Sequence, residues 1–256
     1  MMQADTLSVK TRPRAIQGAI GLSLAFVMFA SWIGLHAYAM FVFELTWANV
    51  PLALMMAAVL CWLSVGMFII SHDAMHGSLA PGRPALNGAI GALLLFLYAG
   101  FGWRKMRDAH FDHHKYVGTA GDPDFDADNP RSMARWYMTF LRRYFGWKSA
   151  LFVSIVVTVY WLALRVPMAQ IVFLYGLPAI ASSIQLFYFG TFRPHRHSAD
   201  AFPDHHNART ESFGTLASLL SCFHFGYHHE HHLAPQVPWW ALPAWRKSAE
   251  AAKVAV

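Results

Sequence analysis

The 256-residue chain is 56% hydrophobic and only 13% charged, a balance that argues against a soluble enzyme and makes a membrane the natural solvent. Its net charge of +6 comes from Lys and Arg scattered between apolar blocks, not from a dense run, so nucleic acid is not an expected partner. Cys61 and Cys222 lie far apart in apolar stretches and read as core residues, neither a disulfide framework nor thiolate metal ligands.

In chain order, residues 1–14, with Lys10, Arg12 and Arg14, read as a short cytosolic tail, and no small-residue cleavage site follows to suggest a removed signal peptide. The first apolar run, 15–41, exceeds the roughly 20 residues a membrane helix requires. A polar break at 44–49 turns the chain back into a second run, 51–70, which ends at SHDAMHG. The third run, 85–101, is short for a span, carries Gly88, Gly91 and Gly100, and is expected to be re-entrant or interfacial. The fourth and fifth, 150–164 and 169–190, are separated only by Arg165, Val166 and Pro167. A weaker apolar segment, 213–225, is expected to lie along the interface, with Trp239, Trp240 and Trp245 at the membrane boundary.

Positive charge decides the topology, because Lys and Arg in short loops favour the cytoplasmic side. The tail, 104–148 and 193–209 are rich in them, whereas the 42–49 turn has none. The expectation is an all-α integral membrane protein of the inner (cytoplasmic) membrane, a single domain over 1–256. It has four transmembrane helices as two hairpins, plus re-entrant or interfacial helices. Fourteen of the fifteen histidines then fall on the cytosolic side, leaving His36 near the outer end of the first helix.

Those histidines are clustered. His72 with His76, His110 with His113 and His114, and His228 with His231 and His232 are spaced so that a helix presents each set on one face. A lone HxxxH is often a local hydrogen-bonding pair, but three clusters at one membrane face point to a metal centre. Eight imidazoles are too many for one zinc, which is usually four-coordinate, and suit two first-row metals. HDAMH differs from the zinc-protease HExxH in carrying Asp73 and in having six further candidate ligands instead of one. None of Glu44, Glu211, Glu230 or Glu250 is followed by His three residues on, which argues against a carboxylate-bridged di-iron bundle. A metal transporter would need ionisable groups in mid-membrane, and the apolar runs supply none.

The pattern HxxxH, HxxHH, HxxHH with paired hydrophobic hairpins resembles the membrane-bound histidine-box oxygenases: fatty-acid desaturases, alkane hydroxylases, and carotenoid hydroxylases and ketolases. Within them, SHDAMHG (71–77), LYAGFGWRKM (97–106), GDPDFD (121–126), RPH (193–195), AFPDHHNAR (201–209) and FHFGYHHEHHLAPQVPWW (223–240) resemble the bacterial β-carotene 4-ketolases. The N-terminal hairpin shares only their hydropathy.

The resemblance implies two iron ions (Fe2+) held by His72, His76, His110, His113, His114, His228, His231 and His232, with O2 as co-substrate. It implies β-carotene as substrate, keto groups introduced at C4, and the same ligands as a carotenoid 3-hydroxylase or a desaturase. A ferredoxin-like donor would supply electrons, drawn, like anionic membrane lipid, to the basic face. Desaturases of known fold carry a ninth histidine near the end of their last membrane helix; here that stretch has Gln185. His195 is the preferred substitute because it lies nearest the helix end, with His206 the alternative. His197, His205, His224 and His229 are left as groups behind the ligands or on the surface. Asp73, Asp112, Asp122, Asp124 and Glu230 are candidates to orient the ligand imidazoles. The glycines and aromatics of 88–103 are candidates to line a lateral substrate route. The oligomeric state is open.

Overall fold

The computed structural model describes residues 13–198 and 200–254; Lys10 and Arg12 of the expected tail lie outside them. Among the described residues the regular structure is helical, in ten main elements. Three are long and apolar enough to cross a membrane: α1 (Arg14–Phe41), α2 (Val50–His76) and α7 (Met168–His195). Two bent pairs lie between α2 and α7. α3 (Pro84–Ala99) meets α4 (Trp103–Tyr116) at 100°, and α5 (Met133–Tyr144) meets α6 (Trp147–Ala163) at 82°. The C-terminal part adds the short helices α8 (Thr215–Cys222) and α9 (His228–Leu233), then α10 (Leu242–Val254).

Sequence chemistry accounts for the boundaries. Pro51 and Pro84 stand in the first turns of α2 and α3, where a missing N–H leaves no bond unmade. α2 runs beyond the hydrophobic stretch to include HDAMH and stops at Gly77, whose φ of 72° is the left-handed cap that glycine adopts without strain. HDAMH is therefore the last turn of a membrane-length helix, not a loop that follows one.

The bundle packs around α2, the most buried of the long helices. Its small residues let neighbours approach: a Cβ on Gly66 would collide with Met28 and Phe223. Gln170 of α7 ties the far end together, its Nε2 donating to the carbonyls of Ala39 (2.6 Å) and Phe43 (2.8 Å). Such bonds matter where no water is present to replace them. His36 lies at this end too, buried, stacked on Trp32 and 2.8 Å from the Tyr160 hydroxyl. Cys61 and Cys222 are buried and unpaired, as their setting suggests. Trp239 is also buried, packed edge-on against Phe223, so it belongs to the core and not to a boundary belt.

Three wide π-turns interrupt the helices, at 159–163 in α6 and at 172–176 and 188–192 in α7. π-turns of this kind concentrate at functional sites. The last lies directly before His195 and carries Gly190 and Thr191, which line the cavity described below.

Candidate metal centre

Each histidine cluster sits where an element ends against the same end of the bundle. α2 delivers His72 and His76 from its last turn. The 100° bend after Gly100 swings α4 across that end, bringing His110, His113 and His114 over α2. The bend is fixed by packing: Trp103 lies against α3 so closely that a Cβ on Gly91 would fall 2.1 Å from its ring. The approach to α9 turns through Phe223 and His224, both at positive φ, 47° and 64°. Non-glycine residues adopt that conformation only when their surroundings impose it. Here Phe223 is clamped between Trp62, stacked at 4.4 Å, and Trp239.

The result is two adjoining groups of imidazoles. His72, His76, His110, His114 and His231 form one; His113, His195, His228 and His232 form the other. Within each group the nearest ring nitrogens all lie within 4.8 Å of one another. The groups touch where His114 and His232 stack at 4.3 Å. Every histidine of the three boxes is placed in one group or the other, and His195 enters the second as an equal member. His206 does not; it faces Asp204, its ring centre 6.3 Å from that of His232.

Hydrogen bonding satisfies only part of this convergence. His228 Nε2 lies 2.8 Å from His195 Nε2 and 3.1 Å from His232 Nε2, and His76 Nε2 lies 2.7 Å from His110 Nε2. Both ring nitrogens of His72 are buried with no hydrogen-bond partner, as are the Nδ1 atoms of His228 and His232. Burying polar nitrogen without a partner costs roughly 1–3 kcal/mol each. A set of neutral imidazoles with inward-facing lone pairs fits first-row divalent metal such as iron, so the residues suit the group the histidine boxes imply.

Two of the rings are oriented from behind. His113 Nδ1 donates to Asp122 Oδ1 at 2.9 Å, and His195 Nδ1 donates to the Asn207 carbonyl at 2.8 Å, leaving each Nε2 lone pair free to face inward. Burial would raise the Asp122 carboxyl, but the His113 imidazole beside it and the N–H groups of Gly118 and Asp124 outweigh it and hold the carboxyl low. The other candidate carboxylates do different things. Asp73 lies 3.8 Å from His72 Nδ1, too far for a hydrogen bond, and accepts the Trp239 N–H instead. Asp112 is exposed. Glu230 accepts the Thr210 hydroxyl at 2.5 Å. Asp204 receives His229 Nε2 at 2.9 Å; burial opposes its ionisation, yet that hydrogen bond leads those holding the carboxyl down at about 2. His224 is buried beside Trp239, away from both groups, His205 lies against His206 with the rings tilted, and His197 stacks on Phe125.

One cavity reaches both groups. Its wall contains His72 and His110 from the first and His113 and His228 from the second, with Phe68, Tyr98, Phe101, Phe140 and Phe225 among its apolar residues. Of the 88–103 stretch only the aromatics Tyr98 and Phe101 line it. Gly91 and Gly100 pack against Trp103 and Phe152, so these glycines serve close packing and not the lining of a route.

Two segments, 45–155 and 143–254, match the model of the fatty acid desaturase family. The chain belongs to the fatty acid desaturase family. Within it the chain is 49% identical over 247 residues to a beta-carotene ketolase of Paracoccus sp. (strain N81106 / MBIC 01143), covering 96% of this chain and 100% of that one. It is 49% identical to a beta-carotene ketolase of Paracoccus sp. (strain PC1), over 90% of this chain and 93% of that one. A zeaxanthin 4-ketolase of Chlamydomonas reinhardtii is 36% identical, over 95% of this chain and 56% of the algal one.

In this desaturase-family chain Gln185 is far from a ligand role. Its Nε2 donates to the Leu220 and Ser221 carbonyls, and its Oε1 receives the Cys61 thiol. His195, the preferred substitute, lies ten residues beyond Gln185, past a π-turn that no hydrophobic pattern announces, and joins the second group.

Proposed function

We propose that this chain is a β-carotene ketolase that oxidises C4 of the β-ionone ring, converting the methylene to a ketone. The observation that carries the reading is the apolar cavity touching both histidine groups, in a chain 49% identical to a Paracoccus beta-carotene ketolase over nearly its whole length. Two irons would be held by His72, His76, His110, His114 and His231, and by His113, His195, His228 and His232. When bound, iron supplies O2 activation and the oxidant that removes hydrogen from carbon.

The protein's own residues supply position. C4 is allylic to the conjugated chain, which weakens its C–H bonds, so the ring must be held with that carbon toward the histidines and its neighbours away. Phe68, Phe101, Phe140 and Phe225 provide an apolar sleeve that keeps water from the reacting carbon. Two oxygenations are required. Each consumes one O2, two electrons and two protons, releases one water and leaves a hydroxyl at C4; the resulting geminal diol then loses water to become the ketone. A ferredoxin-like cytosolic donor supplies the electrons.

In this reading α1, α2, α6 and α7 are the four crossings, and the histidine end lies on the cytoplasmic side of the inner membrane. The 100° bend supports reading α3–α4 as re-entrant, and the Lys and Arg residues of 104–148 and 193–209 support the orientation. The carotenoid enters from the bilayer.

Expression in a β-carotene-producing host, followed by chromatography of the pigments, tests the assignment. Mono- and diketone products are expected. A 3-hydroxylated product would assign the chain to hydroxylation, and unchanged carotenoid would refute oxidation of this substrate.

A further inference from the structure

Beside the histidines the cavity wall carries another polar pair. Asp122 takes the Nδ1–H of His113, and Asp124, two residues on, does not: its Oδ2 lies 3.9 Å from that nitrogen. Asp124 Oδ1 accepts the hydroxyl of Tyr144, and both residues line the cavity with His72, His110, His113 and His228. Two other hydroxyl pairs at this wall satisfy themselves, Tyr98 with Ser182 at 2.9 Å and Tyr137 with Ser183 at 3.1 Å. Asp124 Oδ2 accepts no hydrogen bond from any described residue, although its side chain is only 16% exposed.

We propose that Asp124 and Tyr144 bind the C4 hydroxyl of the half-oxidised ring and keep that alcohol in the cavity for the second oxygenation. The proposal rests on the ketolase reading, in which the first oxygenation turns the C4 methylene into a secondary alcohol. That step places a hydroxyl among mostly apolar walls, where it is unfavourable without a partner. Asp124 Oδ2 accepts a hydrogen bond from the alcohol's O–H, while Tyr144 fixes the carboxyl from the far side. β-Carotene itself is a hydrocarbon and offers the pair nothing to bind. The pair therefore distinguishes substrate from intermediate and holds C4, with its one remaining hydrogen, at the histidines.

The test uses the full-length protein with Tyr144→Phe and, separately, Asp124→Asn. Purified protein in detergent is titrated with β-carotene and with its 4-hydroxy derivative, following quenching of tryptophan fluorescence. The unaltered protein is expected to prefer the alcohol by roughly five-fold, the factor one net hydrogen bond contributes, and the variants to lose that preference. In a β-carotene-producing host the variants are expected to raise the ratio of 4-hydroxy to 4-keto pigment several-fold. An unchanged preference, or an unchanged ratio of alcohol to ketone, would overturn the proposal. So would loss of all oxygenation with the preference intact, which would assign the pair to supporting the histidines. A failure of the unaltered protein to make ketone would refute the underlying reading and is a separate result, because the binding titration needs no turnover.

Discussion

Replacing Asp122 by Asn keeps the side chain's size and tests whether orientation from behind His113 matters to metal retention. Asp122 Oδ1 receives both His113 Nδ1–H at 2.9 Å and the Asp124 N–H at 2.8 Å, and Oδ2 receives the Gly118 N–H at 2.9 Å. An amide offers one oxygen and one NH2, so whichever way it turns, its NH2 faces a donor. A buried donor left without an acceptor costs about 1–3 kcal/mol. Loss of the group orienting a metal-bound imidazole lowers affinity about 10–100-fold, or about 1.4–2.7 kcal/mol, so the two magnitudes agree. Purified, iron-reconstituted protein would be dialysed against graded chelator and its iron measured by mass spectrometry. The variant should release iron at roughly 10–100-fold lower chelator. Asp126→Asn is the control: its carboxylate, in the same loop as Asp122, accepts the Asn129 N–H and the Thr139 hydroxyl of α5 and touches no histidine. Equal retention by Asp122→Asn and the unaltered protein would refute the reasoning.

Further outcomes follow from the same geometry. His195→Ala should lower reconstituted iron from about two per chain toward one, by stripping the group of four, whereas His206→Ala should keep both. His113→Ala and His231→Ala should each abolish ketone formation while leaving membrane insertion intact in a fractionation assay; retained ketone would strike that residue from the ligand set. Gly91→Val places carbon inside the Trp103 ring and should lower the melting temperature in detergent, by a destabilisation of about 1–3 kcal/mol. Gly34→Val, where a Cβ would meet nothing within 4 Å, should not. Gln170→Leu leaves the Ala39 and Phe43 carbonyls without their amide donor and should lower the melting temperature by a comparable amount.

Much of the site was legible in the sequence because metal chemistry requires particular side chains at helical spacing. The helical spacing within HDAMH, HFDHH and HHEHH marks the histidines that converge, and the shortness of the 85–101 run is matched by a sharply bent helix pair, α3 and α4. Partner choice behind the ligands was less legible. Asp73, Asp112, Asp122 and Asp124 look alike as letters, and only the turn at 117–122 decides that Asp122 reaches His113 while Asp112 faces out. The roles of Gly91 and Gly100 were hidden for a similar reason. A glycine in an apolar helix marks close approach, and the sequence does not say whether a side chain or a substrate makes it.

The π-turn at 188–192 makes the two halves of the centre separately breakable. A wide turn absorbs one extra residue, and each residue advances a regular helix by about 100°. Rewound as ordinary helix with its residue count unchanged, this stretch would rotate His195 by about that angle, out of its group, while the five imidazoles of the other group come from segments that do not depend on α7. The position of His195 is thus encoded by the winding of the helix as much as by residue identity, and a lineage that lost the wide turn while keeping its residues would carry this imidazole out of its group.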